Sequence, residues 1–424
     1  MNRFRVLKAL LVTIAAVIGI GLLGVLAIRL YGAHRLARVT ERYEREVGSL
    51  SVYGFARKKI PVEQNAVTWQ RPGVLAAVFF PDDSSLVGSL SAKRFSAWTA
   101  EDTSKLETIL ARNGPSLELL DRARGIKASN WDIPYQLGTT AKIPNLLAAI
   151  NAAKMLNARG RLALGRGDRE RALASAEALG SLARSHEQES ALIVVLIGLV
   201  IEKLQLALVN EITSSALATP AELDRLEASL CDEDLTSAVR RSIRSSAAAI
   251  AHDVDAQPAL GDDHGVIPRS LVSALANVVA AAAVESHGDA DRAVGAPIRA
   301  PLPTIDPANR KGGWWQHLLA SYGANYESVL PRATATASAR DLARLAIALR
   351  REALVSGSYP AIPPAIHGVP ADDPLTGGPR AYVVNGNGSA ELGSTTTVEI
   401  VRSITPGTQL SYDALYKWAL PAPH

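Results

Sequence analysis

Six side chains able to ligate a metal or move a proton fall within thirteen residues of this chain. They are His252, Asp253, Asp255, Asp262, Asp263 and His264, in the run HDVDAQPALGDDHG. Carboxylate oxygens suit hard cations and imidazole suits borderline ones, so the donor types for a divalent ion are present. The spacing matches no established metal loop, and the D-x-D-x-D-G order of a calcium hand is missing. Proline and glycine in the same run mark a polar loop, which would be acidic without any metal. Asp253, Asp262, Asp263 and His264 are the metal candidates, set against the simpler expectation of a solvated connector.

Other chemical signatures are absent from the sequence. There is no G-x-S-x-G elbow, no H-E-x-x-H pair and no Walker A loop, so no catalytic and no cofactor-binding residues are assigned. Cys231 is the only cysteine, which excludes an intrachain disulfide, a C-x-x-C pair and a cysteine-based zinc site. Gly19, Gly21 and Gly24 spell G-x-G-x-x-G, yet a dinucleotide fingerprint needs a strand before it and a helix N-terminus after it. These glycines lie inside a charge-free apolar run instead, where they read as small residues of a spanning helix. Trp314 and Trp315, after Gly312 and Gly313, read as core or membrane-interface aromatics.

That apolar run, Ala9 to Ile28, has twenty residues and no charge. At 1.5 Å per residue it spans roughly 30 Å, the thickness of a bilayer's hydrocarbon core. It continues directly into RLYGAHRLAR with no small-x-small cleavage site, so an uncleaved anchor over residues 9–30 is expected. Residues 1–46 hold eight Lys/Arg and three Asp/Glu, leaving 37 basic against 38 acidic residues in the remainder. The bulk is therefore close to neutral and has no basic footprint for nucleic acid. Arginines flank both ends of the span, but an N-terminal basic cluster stays inside and long domains translocate regardless of charge. The expectation is a single-pass protein of the bacterial inner membrane with its bulk in the periplasm.

The fold class expected is mainly α: a transmembrane helix, a helical domain that is partly tetratricopeptide-like, and a small α+β C-terminal module with a β-hairpin. The expected divisions are a tail at 1–8, the anchor at 9–30, a charged linker helix at 31–60 with a solvated face, and a helical domain at 61–255. A Pro/Gly-rich connector with one helix follows at 256–310, then a helix plus a small β module at 311–424. Within the helical domain, Thr99 with Asp102, and Thr219, Pro220 and Glu222, have the spacing of helix starts. From Thr219 a helix is expected to run on to about Val254. Asn145–Glu211 should hold three helices, with a turn at Gly167-Asp168. ALIVVLIGLV (Ala191–Val200) is too short for a second span and reads as a buried core helix. Ser338 and Asp341 suggest another helix start, with Gly357 as the stop. Asp373-Pro374-Leu375-Thr376-Gly377 suits a turn, AYVVNGNGSAEL a hairpin, and TTTVEIV (Thr395–Val401) a further strand.

Gly357, Tyr359, Pro360, Asp373, Pro374, Thr376, Gly377, Pro379, Arg380 and Tyr382 together carry a resemblance. A helix ending in Gly-x-Tyr-Pro, then Asp-Pro-x-Thr-Gly and an Arg-x-Tyr strand, resembles the C-terminal module of a group of bacterial membrane-anchored proteins of uncharacterised function. That module in turn looks like the globular part of type II secretion pseudopilins. VEQNAV (Val62–Val67) and the RGDRERAL turn are similar to that group's helical region. The sequence departs from a pilin in lacking a processed Gly-Phe-Thr start and an acidic residue early in the span. It also lacks the Asp-rich loop on which pseudopilins bind calcium. The resemblance implies location and architecture, and no activity. The function expected is an interaction or scaffolding role with a protein partner in the cell envelope. The alternatives are a secretion-system accessory and a metal-dependent envelope hydrolase using the 252–264 loop.

Overall fold

The computed structural model describes residues 3–256, 269–294, 326–393, 395–404 and 412–423. α1 (Arg3–Glu46) is one unbroken helix of 44 residues, about 66 Å long at 1.5 Å per residue. Its apolar half lies uncovered, with Leu11, Val17, Ile20 and Leu23 all exposed. From Gly32 onward α1 docks along α11 (Arg269–Ala293). A Cβ on Gly32 would stand 2.9 Å from Val278 Cγ2, so the close approach of the two helices requires glycine. Arg35 and Arg42 grip Glu285 at 3.2 and 2.7 Å, and Arg292 meets Glu46 at 2.8 Å. Residue numbers rise together along both helices, so they run parallel.

The charged helix expected from residue 31, with arginine and glutamate on a solvated face, ends at Glu46 and carries an apolar stripe as well. Leu36, Val39 and Tyr43, spaced three and four apart, form one apolar stripe that packs with Ala280, Ala281 and Val284 of α11. Only the arginine and glutamate face stays in water.

The centre of the body is the antiparallel trio α6 (Leu146–Gly165), α7 (Arg169–Glu187) and α8 (Leu192–Thr213). These are the three helices expected in Asn145–Glu211. Asn145 and Asp168 cap the first two by accepting from Ala148 N and Arg171 N. The α6–α7 turn needs Gly167 in the left-handed region at φ 79°. α8 holds the second apolar run and is mostly buried, as a core helix and not a span. Alanine and glycine let these helices approach closely, as where Gly160 faces Leu208.

α2 (Val67–Ala76), α3 (Pro81–Ala92), α4 (Ala100–Arg112) and α5 (Gly114–Arg122) pack around α6 and the edge of α7. Thr99 and Asp102 form the expected capping box of α4. α9 (Pro220–Ser229) starts on the expected Thr219–Glu222 box but ends at Ser229, and α10 (Leu235–Ala256) begins anew. The single long helix expected there is broken at Leu230–Asp234, where Asp234 accepts from Thr236 N and Ser237 N and so caps α10.

α12 (Tyr326–Ser356) is 31 residues long and carries the C-terminal module. Ser338 and Asp341 lie inside it and start nothing. Their side chains reach across to Asp373 and Arg380 instead. Gly357, at φ 77°, ends the helix as expected. Two short strands, β1 (Asp372–Asp373) and β2 (Gly378–Pro379), flank the DPLTG turn. The Asp373 carboxylate bonds forward to Leu375 N at 3.0 Å and also accepts from Ser338 and Thr397.

β3 (Tyr382–Val384) and β4 (Ala390–Leu392) form the expected hairpin, and β5 (Trp418–Leu420) adds antiparallel beside β4. The hairpin closes by Gly388 N donating to Asn385 O, with Gly388 left-handed at φ 79°. This is a three-residue loop of the turn-plus-bulge kind. The strand expected over Thr395–Val401 is a helix, α13 (Thr395–Ile404). Val398 and Val401, three apart, are both buried on one side of it, and that packing overrides the strand preference of Thr and Val.

Asp373 ties α12, the turn and α13 through three hydrogen bonds. Asp373→Ala is expected to lower stability by at least about 2 kcal/mol, since it leaves buried donors unpaired. Asp373→Asn should cost clearly less. Urea denaturation of the detergent-solubilised protein, followed by circular dichroism, measures both.

Candidate functional site

The C-terminal turn of α7 and the link that follows it, Arg184-Ser185-His186-Glu187-Gln188-Glu189-Ser190, carry an unusual load of buried polar side chains. His186, Glu187 and Glu189 have no measurable exposure. Glu202, midway along α8, is equally buried. Burying an ionised carboxylate is costly unless it is paired, and one guanidinium does most of the pairing. Arg340, on α12, donates through Nε and Nη2 to both Glu202 oxygens, and through Nη2 to Glu187 Oε2 at 2.9 Å. Its Nη1 donates to the Glu233 carbonyl in the α9–α10 link.

Two carboxyl groups thus share one positive charge. Burial and the neighbouring Glu202 push the Glu187 carboxyl well above the usual range, outweighing the pull of Arg340. Cys231 completes the cluster, with its Sγ within 4.8 Å of the nearest oxygens of both carboxyls. Burial, with Glu187 and Glu202, pushes its thiol far up, so it remains uncharged. Glu187, Glu202 and Cys231 are close enough together to hold a metal ion, but both carboxylates already bond the Arg340 guanidinium. The trio fits a closed ion cluster better than a cation site.

His186 is a core histidine. Its Nδ1 bonds the Leu182 carbonyl at 2.8 Å, its ring meets Trp131 edge to face, and burial holds it down at about 4. Glu189 accepts from Trp131 N at 3.0 Å and Tyr135 Oη at 2.9 Å, and the Tyr135 hydroxyl in turn accepts from Ser190 N and Ala191 N. This network pins the α7–α8 link in place.

A cleft of about 700 Å³ opens immediately outside the ion cluster. One wall is Gly54–Arg57, in the segment after α1. The floor includes Gln188 and Ser190, and the far wall is Arg240, Arg241 and Arg244 of α10. The i, i+1, i+4 spacing of these three arginines keeps them on one side of the helix. Arg244 binds Asp291 of α11 through Nε and Nη2, at 3.1 and 3.3 Å. Arg241 donates through Nη2 to the Glu187 carbonyl and to Glu233 Oε1, both at 3.0 Å. Arg240 Nη2 bonds Val294 O, while its Nε stands 3.6 Å from Asp291, beyond hydrogen-bond reach. Arg57 Nη1 lies 3.7 Å from Glu189, whose oxygens are already taken. Arg57 Nη1, Arg240 Nε and Arg241 Nε are buried nitrogens with no hydrogen-bond partner. A second, smaller cleft of about 300 Å³ lies between Arg71, Trp131 and Lys142.

Asp253, the one sequence-based metal candidate among the described residues, is not part of this site. Asp253, near the end of α10, accepts from Thr139 N at 2.9 Å and from the Thr139 hydroxyl. It fastens the Tyr135–Thr140 segment, where Gly138 has φ 58° and a Cβ would overlap Asp253 Oδ1. Asp262, Asp263 and His264 lie outside the described residues, as do Trp314 and Trp315. His252 is half-buried beside Asp253. Sequence reasoning missed the ion cluster and the cleft. The available signals were Glu202 standing within the otherwise largely apolar α8, and the RRSIR spacing of α10.

No protein family, curated protein or solved structure matches the chain.

Replacing Arg340 by Met strands two buried carboxyls and should cost about 3–5 kcal/mol. Adding Glu187→Gln and Glu202→Gln should recover a large part of that loss, measured as a multiple-mutant cycle by chemical denaturation. His186 predicts a pH effect. Its folded value of about 4 lies below its ordinary 6.5, so the folded state binds fewer protons than the unfolded state in between. Its contribution is complete above pH 6.5 and is lost as pH falls towards 4, on the order of 3 kcal/mol. His186→Asn, which keeps a donor for Leu182 O, should remove about half of that part of a stability-versus-pH curve, since burial holds His287 at about 4 as well.

Proposed function

We propose that the protein is a single-pass, membrane-anchored interaction protein of the bacterial envelope, whose body binds and positions a partner and carries out no chemistry. The observation that carries this reading is the continuity of α1. The same helix that exposes an apolar face over its first half buries Leu36, Val39 and Tyr43 in the body over its second half. A cleavable leader is joined to its protein by an accessible, extended segment. Here the chain beyond Ile28 is helical and soon built into the core, which favours a permanent anchor over residues 9–30.

The interaction role draws support from the charge arrangement. Buried Glu187 and Glu202 pair with Arg340, and the large cleft is lined by arginines, which suit recognition better than proton transfer. The helix pair α6–α7 is of the kind that tetratricopeptide proteins use to bind partners. Placement of the bulk in the periplasm, and a partner there that is a protein and not nucleic acid, belong to this reading.

A second reading, an accessory related to secretion pseudopilins, rests on the sequence resemblance from Gly357 to Tyr382, and the module that carries it is fastened to α12. Tyr416 Oη bonds Ala335 O, and Arg350 and Tyr359 both bond Pro421 O. A metal-dependent hydrolase built on 252–264 draws less support, because Asp253 already serves Thr139.

The full-length protein is expected to keep its N-terminal segment after expression and to leave membranes only in detergent. A C-terminal alkaline phosphatase fusion is expected to be active. Intact-mass spectrometry showing loss of the first thirty or so residues, with the body in the soluble fraction, would overturn the anchor. Phosphatase silence beside a fluorescent cytoplasmic fusion would overturn the periplasmic placement.

A further inference from the structure

We propose that the arginine-walled cleft between the Gly54–Arg57 segment and α10 is a binding site for a soluble phosphate monoester. The argument starts from the balance of charge. Arg57, Arg240, Arg241 and Arg244 line one cavity. The carboxylates that approach them are Glu233, Asp291 and Glu189, and these leave the cavity with a positive excess. Asp291 is already held by both Nε and Nη2 of Arg244, and each Glu189 oxygen already accepts from a neutral donor. Arg57 and Arg240 therefore approach their acids at 3.7 and 3.6 Å without a hydrogen bond. Three guanidinium nitrogens, one on each of Arg57, Arg240 and Arg241, remain buried and unpartnered. A buried donor without an acceptor is unfavourable, so the cleft is built to be completed by an anion.

The shape of the donor set selects which anion. A planar carboxylate is satisfied by a single bidentate arginine. Here the guanidiniums come from two separate segments, Arg57 after α1 and Arg240, Arg241 and Arg244 on α10, a distribution that suits the several oxygens of a tetrahedral phosphoryl group. The cavity, at about 700 Å³, is in the range of sites for whole small molecules and far exceeds one phosphate, so the phosphoryl group carries an organic remainder. Phe55, half-buried on the wall, offers that remainder an apolar surface.

Position in the molecule distinguishes a soluble ligand from a bilayer headgroup. Gly48, just beyond α1, packs near Arg244, so the cleft lies at the far end of that helix from the apolar segment. The 18 residues Arg29–Glu46 span about 27 Å. A headgroup in the plane of the membrane would not reach the arginines.

Isothermal titration of the full chain in phosphatidylcholine nanodiscs tests this, with glycerol 3-phosphate, inorganic phosphate, sulfate and succinate as probes. Glycerol 3-phosphate is expected to bind at least about tenfold more tightly than succinate and more tightly than inorganic phosphate or sulfate. Arg240→Gln and Arg57→Gln should each weaken it about tenfold, and Arg57→Lys, which keeps the charge but loses the fork, by less. Unchanged circular dichroism and thermal midpoint show that the variants fold. No binding below 10 mM, equal binding of succinate or sulfate, or full binding by the double variant would each overturn the proposal. Loss of the signal in phosphatidylglycerol discs, with recovery in phosphatidylcholine, would reassign the site to a lipid headgroup and overturn the soluble source.

Discussion

One guanidinium joins four elements of this protein. Arg340 of α12 reaches Glu187 on α7, Glu202 on α8 and the Glu233 carbonyl ahead of α10. In a low-dielectric interior such a group is stable only when charge and hydrogen bonds are both satisfied, and burial working against a second negative charge pushes the Glu187 carboxyl up. The cleft inherits its geometry from this cluster. The Glu187 carbonyl anchors Arg241, and the residues immediately after Glu187 form the cleft floor. The outer recognition surface and the buried charge are therefore one construction, and a change inside would be felt outside.

The C-terminal module is attached by the same principle, with backbone carbonyls as the acceptors. Asn210 of α8 donates to the carbonyls of Ala414 and Lys417, and Arg350 and Tyr359 converge on Pro421 O. Trp418 and Tyr416 are buried beneath these bonds. The sheet has only three short strands, which would not be stable alone, and the support comes from α8 and α12.

What could be read in the sequence was local. Thr99 with Asp102, Thr219 with Glu222, Gly357 and the NGNG turn act on residues within four positions of themselves, and each behaves as its chemistry dictates. Ser338 and Asp341 have the same residue types and spacing, yet their side chains are claimed by Asp373 and Arg380, about forty residues away. The stretch Thr395–Val401 has strand composition but lies against a helical core that needs a three-residue spacing of apolar groups. The ion cluster was illegible for a related reason. Glu187, Glu202, Cys231 and Arg340 are spread along the chain, and no local pattern encodes their meeting. The acidic run at 252–264 was conspicuous because its residues are adjacent, and the one whose contacts are described, Asp253, turns out to hold a turn.

The unbroken course of α1 has a mechanical consequence. With residues 9–30 in a bilayer, no hinge separates the anchor from the body, and α11 doubles the helix just above the membrane. An ordinary tilt of about 20° would carry the far end of the 27 Å stem sideways by about 9 Å. The body would then act as a pointer, in which bilayer thickness, through helix tilt, is converted into the lateral position of the arginine cleft.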